Sequence, residues 1–190
     1  MSALAALATA LRDEGGLVAA ATVDPADDAD RSASDGVRGP RAEVAGDALR
    51  LAVEATREAE LLHHAPERAR VVRTDDRDLA LLAGDRLYAL GLERLAADGL
   101  VDEVRILADV VALVARLHAG EAWALGAGHD GGTGAPDAAA ARTAALWICA
   151  GAALGRGSRS PAAALLRTAR TGATPTPDAL RAAAAAVNEG

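Results

Sequence analysis

Apolar residues recur every three to four positions along most of the chain, and this spacing predicts helices. Polar stretches that contain glycine or proline separate the periodic segments. The predicted helices cover about residues 2–13, 41–64, 77–98, 101–119, 138–155 and 161–170, with an alanine-rich terminal helix from about residue 177. No segment alternates apolar and polar residues with the period of two that a half-buried strand needs. The pattern therefore predicts an all-α fold, a helical bundle, in one domain over residues 1–190.

Short polar motifs mark the predicted ends of these helices. Ser2 and Thr176 stand where N-cap side chains are expected, and either Thr74 or Asp75 takes that place for the helix near residue 77. Pro66 closes the helix that begins near residue 41, because proline cannot continue the hydrogen-bond ladder. The boundaries therefore follow from local chemistry.

Two segments lack periodicity and are predicted as connections. Residues 24–40, DPADDADRSASDGVRGP, are polar and contain proline and glycine, which favours a mobile loop with solvated acids. Residues 126–136, GAGHDGGTGAP, favour a flexible connector. The connector does not end in the GK[ST] of a phosphate loop, and no strand precedes it.

The segment 101–119 is apolar nearly all round, which is typical of a helix at the centre of a bundle or at an interface. One of its stripes consists of Ile106, Val110, Leu113 and Leu117. We predict this stripe as a contact surface for a partner, with plain core packing as the alternative.

The stretch LALLAGDRLYALGLERLA, residues 79–96, contains three residues that weaken a buried helix. Asp85 shares a helix face with leucines, where an unpaired carboxylate is costly. Gly84 and Gly91, one heptad apart, each cost about 1 kcal/mol of helix propensity relative to alanine. We expect Asp85 to be a buried polar anchor between packed helices, and the glycines to let a neighbouring helix come close.

Composition narrows the choice of function. Aromatic residues make up only 2% of the chain, so the predicted core consists of Leu, Val and Ala. The net charge of −7 offers no basic surface for nucleic acid. The single cysteine, Cys149, lies in an apolar run and is expected to be a buried, inert thiol. Neither a signal peptide nor a transmembrane run is evident, so a cytoplasmic location is expected.

The clusters of acids and histidines do not have the spacing of a metal or catalytic site. The aspartates of TDDRD, residues 74–78, do not share the helix face that magnesium would need, so helix capping is their favoured role. His63 and His64 project about 100° apart on a helix and cannot hold one ion together. We therefore predict no metal and no cofactor.

Three segments, in this order along the family's sequences, resemble the all-trans isoprenyl (polyprenyl) diphosphate synthase family. GVRGPRAEVAGDAL…AELLHH is similar to the family's GGKRLRP motif followed by an A-x-E-L-L-H helix. LALLAGDRLYALGLERLA resembles the family's VLAGDxLLxxAFxxLA, with Gly120 and Glu121 at the place of a Gly-Gln pair. ARTAALWICAGAALG resembles the KTAxL…LG helix, with Arg142 in place of the lysine. The resemblance covers about residues 36–157 and implies a truncated isoprenoid synthase-like fold.

The family binds allylic diphosphates through magnesium held by two DDxxD motifs, and neither motif has a counterpart here. The segment after His63 reads HAPERARVVRTDDRD, and RSPAAALLRTARTGATPTPDAL has no paired aspartate. Ionising the diphosphate needs a divalent metal, so magnesium would be required only if catalysis were retained. The chain therefore resembles the non-catalytic small subunit of heteromeric prenyl synthases.

On this resemblance, we predict that the chain associates through its helices with a catalytic prenyl synthase subunit, or with itself, and modulates that enzyme. One alternative is a residual isoprenoid diphosphate-binding protein or prenyltransferase. In that case Arg142, with Arg70 or Arg73, would meet the diphosphate. Another alternative is a structural homodimer with no link to isoprenoid chemistry.

Overall fold

A computed structural model describes residues 2–26, 33–119 and 135–186, and this part of the chain is all-α. Its helices are α1 (Ala3–Glu14), α2 (Gly16–Ala20), α3 (Pro40–His64), α4 (Arg77–Ala97), α5 (Val101–His118), α6 (Ala135–Arg156), α7 (Pro161–Thr171) and α8 (Pro177–Ala185). Short 3-10 turns lie at Ala33–Gly36 and Pro66–Arg68. In the same ranges, β pairing is limited to one isolated antiparallel bridge between Thr22 and Val72. The predicted all-α class is confirmed for these residues.

The chain divides into two compact units. The first contains residues 1–35 and 45–101, and the second contains residues 36–44 and 102–190. The single domain expected from the sequence stays a prediction. Within the described ranges, no helix is both long and apolar enough to cross a membrane.

The core of the first unit is built from small and branched apolar side chains. α1 buries one face at helical spacing, which consists of Leu4, Leu7, Ala8 and Leu11. The segment before α4 contributes Val71 and Val72, whose strand-like backbone pairs with residues 21–23. The N–H of Val23 donates to the carbonyl of Val71 at 2.8 Å, so this pairing fixes the segment that follows α2 to the core.

The second unit is organised around α6, which packs against both α7 and α8. The fully buried side chains of this unit include Leu146, Ala150 and Leu154 of α6, Leu166 of α7 and Leu180 of α8. Arg156 donates to the carbonyls of Ala184 at 2.6 Å and Ala186 at 2.8 Å. These carbonyls lie at the open end of α8, so the arginine satisfies acceptors that the helix leaves without partners.

Side-chain caps confirm most of the predicted helix starts. The hydroxyl of Ser2 accepts from the N–H of Ala5 at 3.2 Å, and that of Thr176 accepts from Ala179 at 3.1 Å. Pro66 follows directly on the end of α3, as predicted. The predicted helix starts therefore agree with the structure where the N-cap side chain accepts a hydrogen bond from an N–H group in the first turn of the helix.

The cap of α4 differs from the prediction of Thr74 or Asp75. Asp76 is the N-cap, because its carboxylate accepts the N–H groups of Asp78 at 2.9 Å and Leu79 at 3.2 Å. Thr74 lies two residues before this N-cap, and its hydroxyl accepts from the N–H of Asp76 at 3.1 Å. One of the acids, Asp76, thus caps the helix, which agrees with the predicted role, and Asp78 lies in its first turn.

The mobile loop predicted at 24–40 stays a prediction, since the structure describes only part of that segment. Residues 27–32 lie outside the described residues, as do Gly120, Glu121 and residues 126–134 of the predicted connector. Residues 33–36 instead form a turn in which Ser34 is buried, and Val37 after it is buried as well. The N–H of Ser34 donates to the carboxylate of Glu54 at 2.8 Å, so a polar segment is fixed by a buried acceptor.

α3 is interrupted once, near its start. Ala45 has φ −132° and ψ 27°, which are not helical values. Val44 lies at helical spacing from Leu51, an apolar residue of the same predicted helix, but it is 79% exposed. The interruption changes the direction of the first turn, so the periodicity of residues 41–64 does not extend to Val44.

Cys149 is buried on α6, as predicted, and burial raises the pKa of its thiol to about 12 because the thiolate would lose its hydration. We expect iodoacetamide at about pH 8 to alkylate the native protein about a hundredfold more slowly than the urea-unfolded protein. Mass spectrometry at timed intervals measures both rates. Equal rates would show that the thiol is accessible in the native state.

Candidate functional site

α4 comes very close to α3 at two glycines of the first unit. A Cβ atom at Gly84 would lie 2.4 Å from Cε1 of His63, and one at Gly91 would lie 3.0 Å from Oγ1 of Thr56 and 3.1 Å from the carbonyl oxygen of Ala52. A larger residue at Gly84 would therefore displace the imidazole. Because glycine has no Cβ, Gly84 and Gly91 permit this close approach of α4 to α3. The approach compensates for the lower helix propensity of the two glycines.

His63 occupies the space above Gly84 and touches both helices. Its Nδ1 lies 2.8 Å from the carbonyl oxygen of Ala59, and its Nε2 lies 3.2 Å from Oδ1 of Asp85. The imidazole also packs against the ring of Tyr88, with centroids 5.4 Å apart. The ring thereby connects α3 to α4.

Asp85 is not buried, so the expectation of an interior anchor is wrong in that respect. Its side chain is 76% exposed, and its neighbours on the same helix face, Leu81, Tyr88 and Leu92, are only half-buried. The face of α4 that includes Gly84 points towards α3, and Asp85 lies at the edge of the contact. Its partner is the imidazole of His63 rather than an arginine or a backbone N–H.

This cluster does not present a reactive group. Both ring nitrogens of His63 already face an oxygen atom, whereas a general base needs one nitrogen directed at its substrate. Burial and the nearby carboxylates of Glu60 and Asp85 raise the pKa of Tyr88, so its hydroxyl stays protonated at neutral pH. The arrangement is suited to holding two helices together.

A buried charge network lies beside this contact on α3. The side chain of Arg70 is only 9% exposed, with Nη2 3.0 Å from Oε2 of Glu54 and Nε 3.2 Å from Oε2 of Glu58. The contact with Glu54 is an ion pair without a well-aligned hydrogen bond. Glu58 Oε1 accepts the N–H groups of Arg70 and Val71 at 2.6 Å and of Val72 at 3.2 Å. The network therefore fixes the segment before α4 to α3.

The sequence interpretation missed this network because it followed only apolar positions. Glu54 and Glu58 are four residues apart and fall at the same helical spacing as Leu51 and Leu62. Two acids at that spacing on an apolar face indicate a buried cation, since unpaired buried carboxylates are costly. That signal indicates a buried cation beside α3, and only the tertiary structure identifies it as Arg70.

The second unit contains a further buried glutamate. Glu103 of α5 is buried, and its Oε1 accepts from Nε of Arg41 at 2.6 Å. This hydrogen bond raises the pKa of Arg41. The pair attaches the start of α3, within residues 36–44, to α5.

Of the three arginines predicted to meet a diphosphate, Arg70 is unsuitable because its guanidinium is buried between two carboxylates. Arg73 is exposed, and Arg142 is half-buried on α6. Arg70 and Arg73 belong to the first unit and Arg142 to the second. The predicted role of Arg70 is therefore wrong.

Arg73 lines an open groove of about 470 Å³ at the start of α4. The groove also contains Arg77 and three carboxylates, from Glu67, Asp75 and Asp76. Carboxylates and a diphosphate are both negatively charged and repel each other at short distance. The three carboxylates therefore disfavour the binding of a diphosphate in this groove.

The predicted contact stripe on α5 is core. Ile106, Val110, Leu113 and Leu117 are all buried within the chain, whereas Ala108 and Ala115 on another side of the helix are exposed. An apolar stripe gains free energy from leaving water whether its neighbour is another chain or its own. The alternative of plain core packing is therefore correct.

A second close approach lies in the second unit, where the segment before α3 crosses α6. A Cβ atom at Gly151 would lie 2.8 Å from the carbonyl carbon of Gly36, and one at Gly155 would lie 2.4 Å from the carbonyl oxygen of Arg38. Gly39, with φ +129°, has a conformation that other residues rarely adopt. The two backbones are therefore in direct contact.

Within the described ranges, no group of three or more His, Cys, Asp or Glu side chains has the arrangement of a metal site. No known protein family, characterised protein or solved structure matches the chain at a significant level. The interpretation of the chain therefore depends on its own geometry and on the resemblance of its motifs.

Proposed function

We propose that the chain is a non-catalytic subunit with a truncated isoprenoid synthase-like fold, which associates with a catalytic prenyl diphosphate synthase and modulates it. The observation that supports this proposal is that the segments that resemble the family are the ones that make the close contacts. In the first unit, His63 of AELLHH lies over Gly84 and beside Asp85 of AGD. Two motifs about twenty positions apart thus meet at one point.

The same holds in the second unit. Gly36 and Arg38 of the segment similar to GGKRLRP contact Gly151 and Gly155 of the segment similar to KTAxL…LG. A subunit that keeps a fold without its chemistry would retain such packing residues. The matches to the family are therefore concentrated where substitution would separate the backbones.

The residues that the chain lacks are those of the chemistry. Both DDxxD motifs are missing from the sequence, and the interior carboxylates of α3 are paired, Glu54 and Glu58 with Arg70 and backbone N–H groups and Glu60 with Arg57. Carboxylates held in this way are unavailable to a divalent cation. The proposal thus assigns to this chain a role in association rather than in ionising a diphosphate.

Because the α5 stripe is buried, the association requires other side chains. The large apolar side chains that are exposed in the described ranges are Leu17, Val44, Leu82, Val101 and Ile148. Substitution by aspartate at Leu82 and at Ile148 tests one such position in each unit.

Co-expression with a prenyl synthase that carries both DDxxD motifs tests the proposal. We expect the two chains to co-purify as one species in size-exclusion chromatography with light scattering. We also expect the complex to differ from the synthase alone in product chain length or rate, with magnesium present. The matched controls are the aspartate variants, at least one of which should weaken the complex without unfolding this chain.

Three outcomes would favour an alternative to this function. Turnover of isopentenyl diphosphate by the isolated chain in magnesium would support the prenyltransferase alternative. A stable homodimer that never co-purifies with a synthase would support the structural alternative. If inorganic diphosphate raised the Tm of the parent but not of Arg142→Gln, the ligand-binding alternative would be favoured.

A further inference from the structure

We propose that His63, Gly84 and Asp85 form a pH-sensitive clasp between α3 and α4, a property that is independent of the proposed function. Nδ1 of His63 lies 2.8 Å from the carbonyl oxygen of Ala59, and Nε2 lies 3.2 Å from the carboxylate of Asp85. A carbonyl and an ionised carboxylate can only accept hydrogen bonds. Both contacts are therefore made together only when the ring carries two protons.

The neutral ring has one proton to share between the two contacts. The shorter contact, to Ala59, keeps that proton on Nδ1, because the carbonyl has none to give. Nε2 then presents a lone pair to the Asp85 carboxylate. The contact is therefore attractive when the ring carries two protons and repulsive when it carries one, and the loss of the second proton is the change of charge that histidine makes as the pH rises.

The ring cannot avoid the carboxylate by a small rotation. The His63 side chain is 20% exposed and lies where a Cβ of residue 84 would be, with Tyr88 packed against it. The carbonyl of His63 also accepts from Nη2 of Arg77 at 3.3 Å, which attaches the end of α3 to the first turn of α4. A change of protonation therefore acts at the contact between the two helices.

The charged and titratable groups around the ring come from both helices. On α3 the neighbours are His64, whose ring centroid lies 6.1 Å away, and the ion pair of Glu60 and Arg57, whose charges act on Tyr88. On α4 the neighbours are Asp85, Tyr88 and Arg77. Asp85 supplies the carboxylate that these contacts bring to the ring, so its variant removes the repulsive partner.

A double-mutant cycle with His63→Gln and Asp85→Asn tests the clasp. Urea unfolding of the four proteins at about pH 5.5 and about pH 8.5 gives the coupling between the two positions. At the lower pH we expect the coupling to favour folding by about two- to fivefold in the unfolding equilibrium constant, the range for exposed pairs. At the higher pH we expect it to vanish or to reverse sign.

His64→Gln is the matched control, because it removes the adjacent histidine and should leave the coupling unchanged at both pH values. If His63→Gln does not fold, Asp85→Asn alone is informative. The asparagine amide can donate to a neutral Nε2, so this variant should show a smaller loss of stability than the parent as the pH rises. Nitrogen NMR of the ring should place the single proton on Nδ1 at the higher pH. A coupling that does not change with pH, or a proton on Nε2, would overturn the clasp.

Discussion

Replacement of Arg70 by alanine is expected to destabilise the protein by about 3–5 kcal/mol, the range for breaking a buried charge pair from one side. The substitution removes the guanidinium that lies 3.0 Å from the buried carboxylate of Glu54 and 3.2 Å from that of Glu58. Glu58 still accepts backbone N–H groups, but their partial charges do not replace a guanidinium. Urea unfolding followed by circular dichroism at neutral pH measures the change.

Arg73→Ala is the matched control for this prediction. It removes the same charge three residues away, from an exposed side chain, so we expect a change within about 0.5 kcal/mol. The two arginines have the same status in a sequence-based search for diphosphate ligands. Equal effects of the two substitutions would mean that Arg70 is not held in the interior.

Gly155→Ala is expected to destabilise the protein by about 1–3 kcal/mol, as overpacking of a close contact does. The sign is informative, because alanine at an unconstrained helical position stabilises by about 1 kcal/mol relative to glycine. Here the added Cβ would lie 2.4 Å from the carbonyl oxygen and 2.5 Å from the amide nitrogen of Arg38. These are backbone atoms of a segment held by its own turn, so the segment or α6 has to shift. Thermal and urea unfolding give the change in stability.

Ala144→Leu serves as the control on the same helix. Position 144 is exposed, and leucine is a good helix former, so the larger side chain should change stability by less than about 0.5 kcal/mol. If Gly155→Ala stabilised the protein, the direct backbone contact between α6 and residues 36–39 would be disproved. The segments of the second unit that resemble the family would then no longer coincide with a close backbone contact.

Arg70→Ala and Gly155→Ala test the fold separately from the function. A loss of synthase association in Arg70→Ala would follow from unfolding of the first unit and would say nothing about an interface. The aspartate variants at Leu82 and Ile148 lie on exposed positions, so they address association directly. A fold confirmed by the first pair and an association abolished by the second would together support the proposed function.

Helix boundaries were largely determined by the sequence alone. Ser2 and Thr176 cap their helices as expected, and Pro66 follows the end of α3. A cap needs only one side chain and the N–H groups two or three residues further on, all of which belong to one short stretch. The choice of Asp76 over its neighbours is the kind of one-residue difference that such stretches leave open.

Burial could not be predicted in the same way, because it depends on partners distant in sequence. Asp85 is exposed, although the sequence predicts a buried polar anchor at this position. Glu54 and Glu58 are buried, although the helical pattern of apolar residues does not include them. Their environments are decided by His63 and Arg70, which lie twelve or more positions away. Helical periodicity shows which residues share a face but not which face meets another helix.

The same limit explains the stripe of α5. Ile106 and Val110 have the pattern of either a core or an interface, and only the tertiary structure shows that the chain itself covers them. By itself, the sequence of this protein determined an all-α class, the helix ends and the glycines that allow close packing. The tertiary structure decided which carboxylates are buried, which arginine neutralises them and which apolar faces remain exposed, because these depend on contacts between residues far apart along the chain.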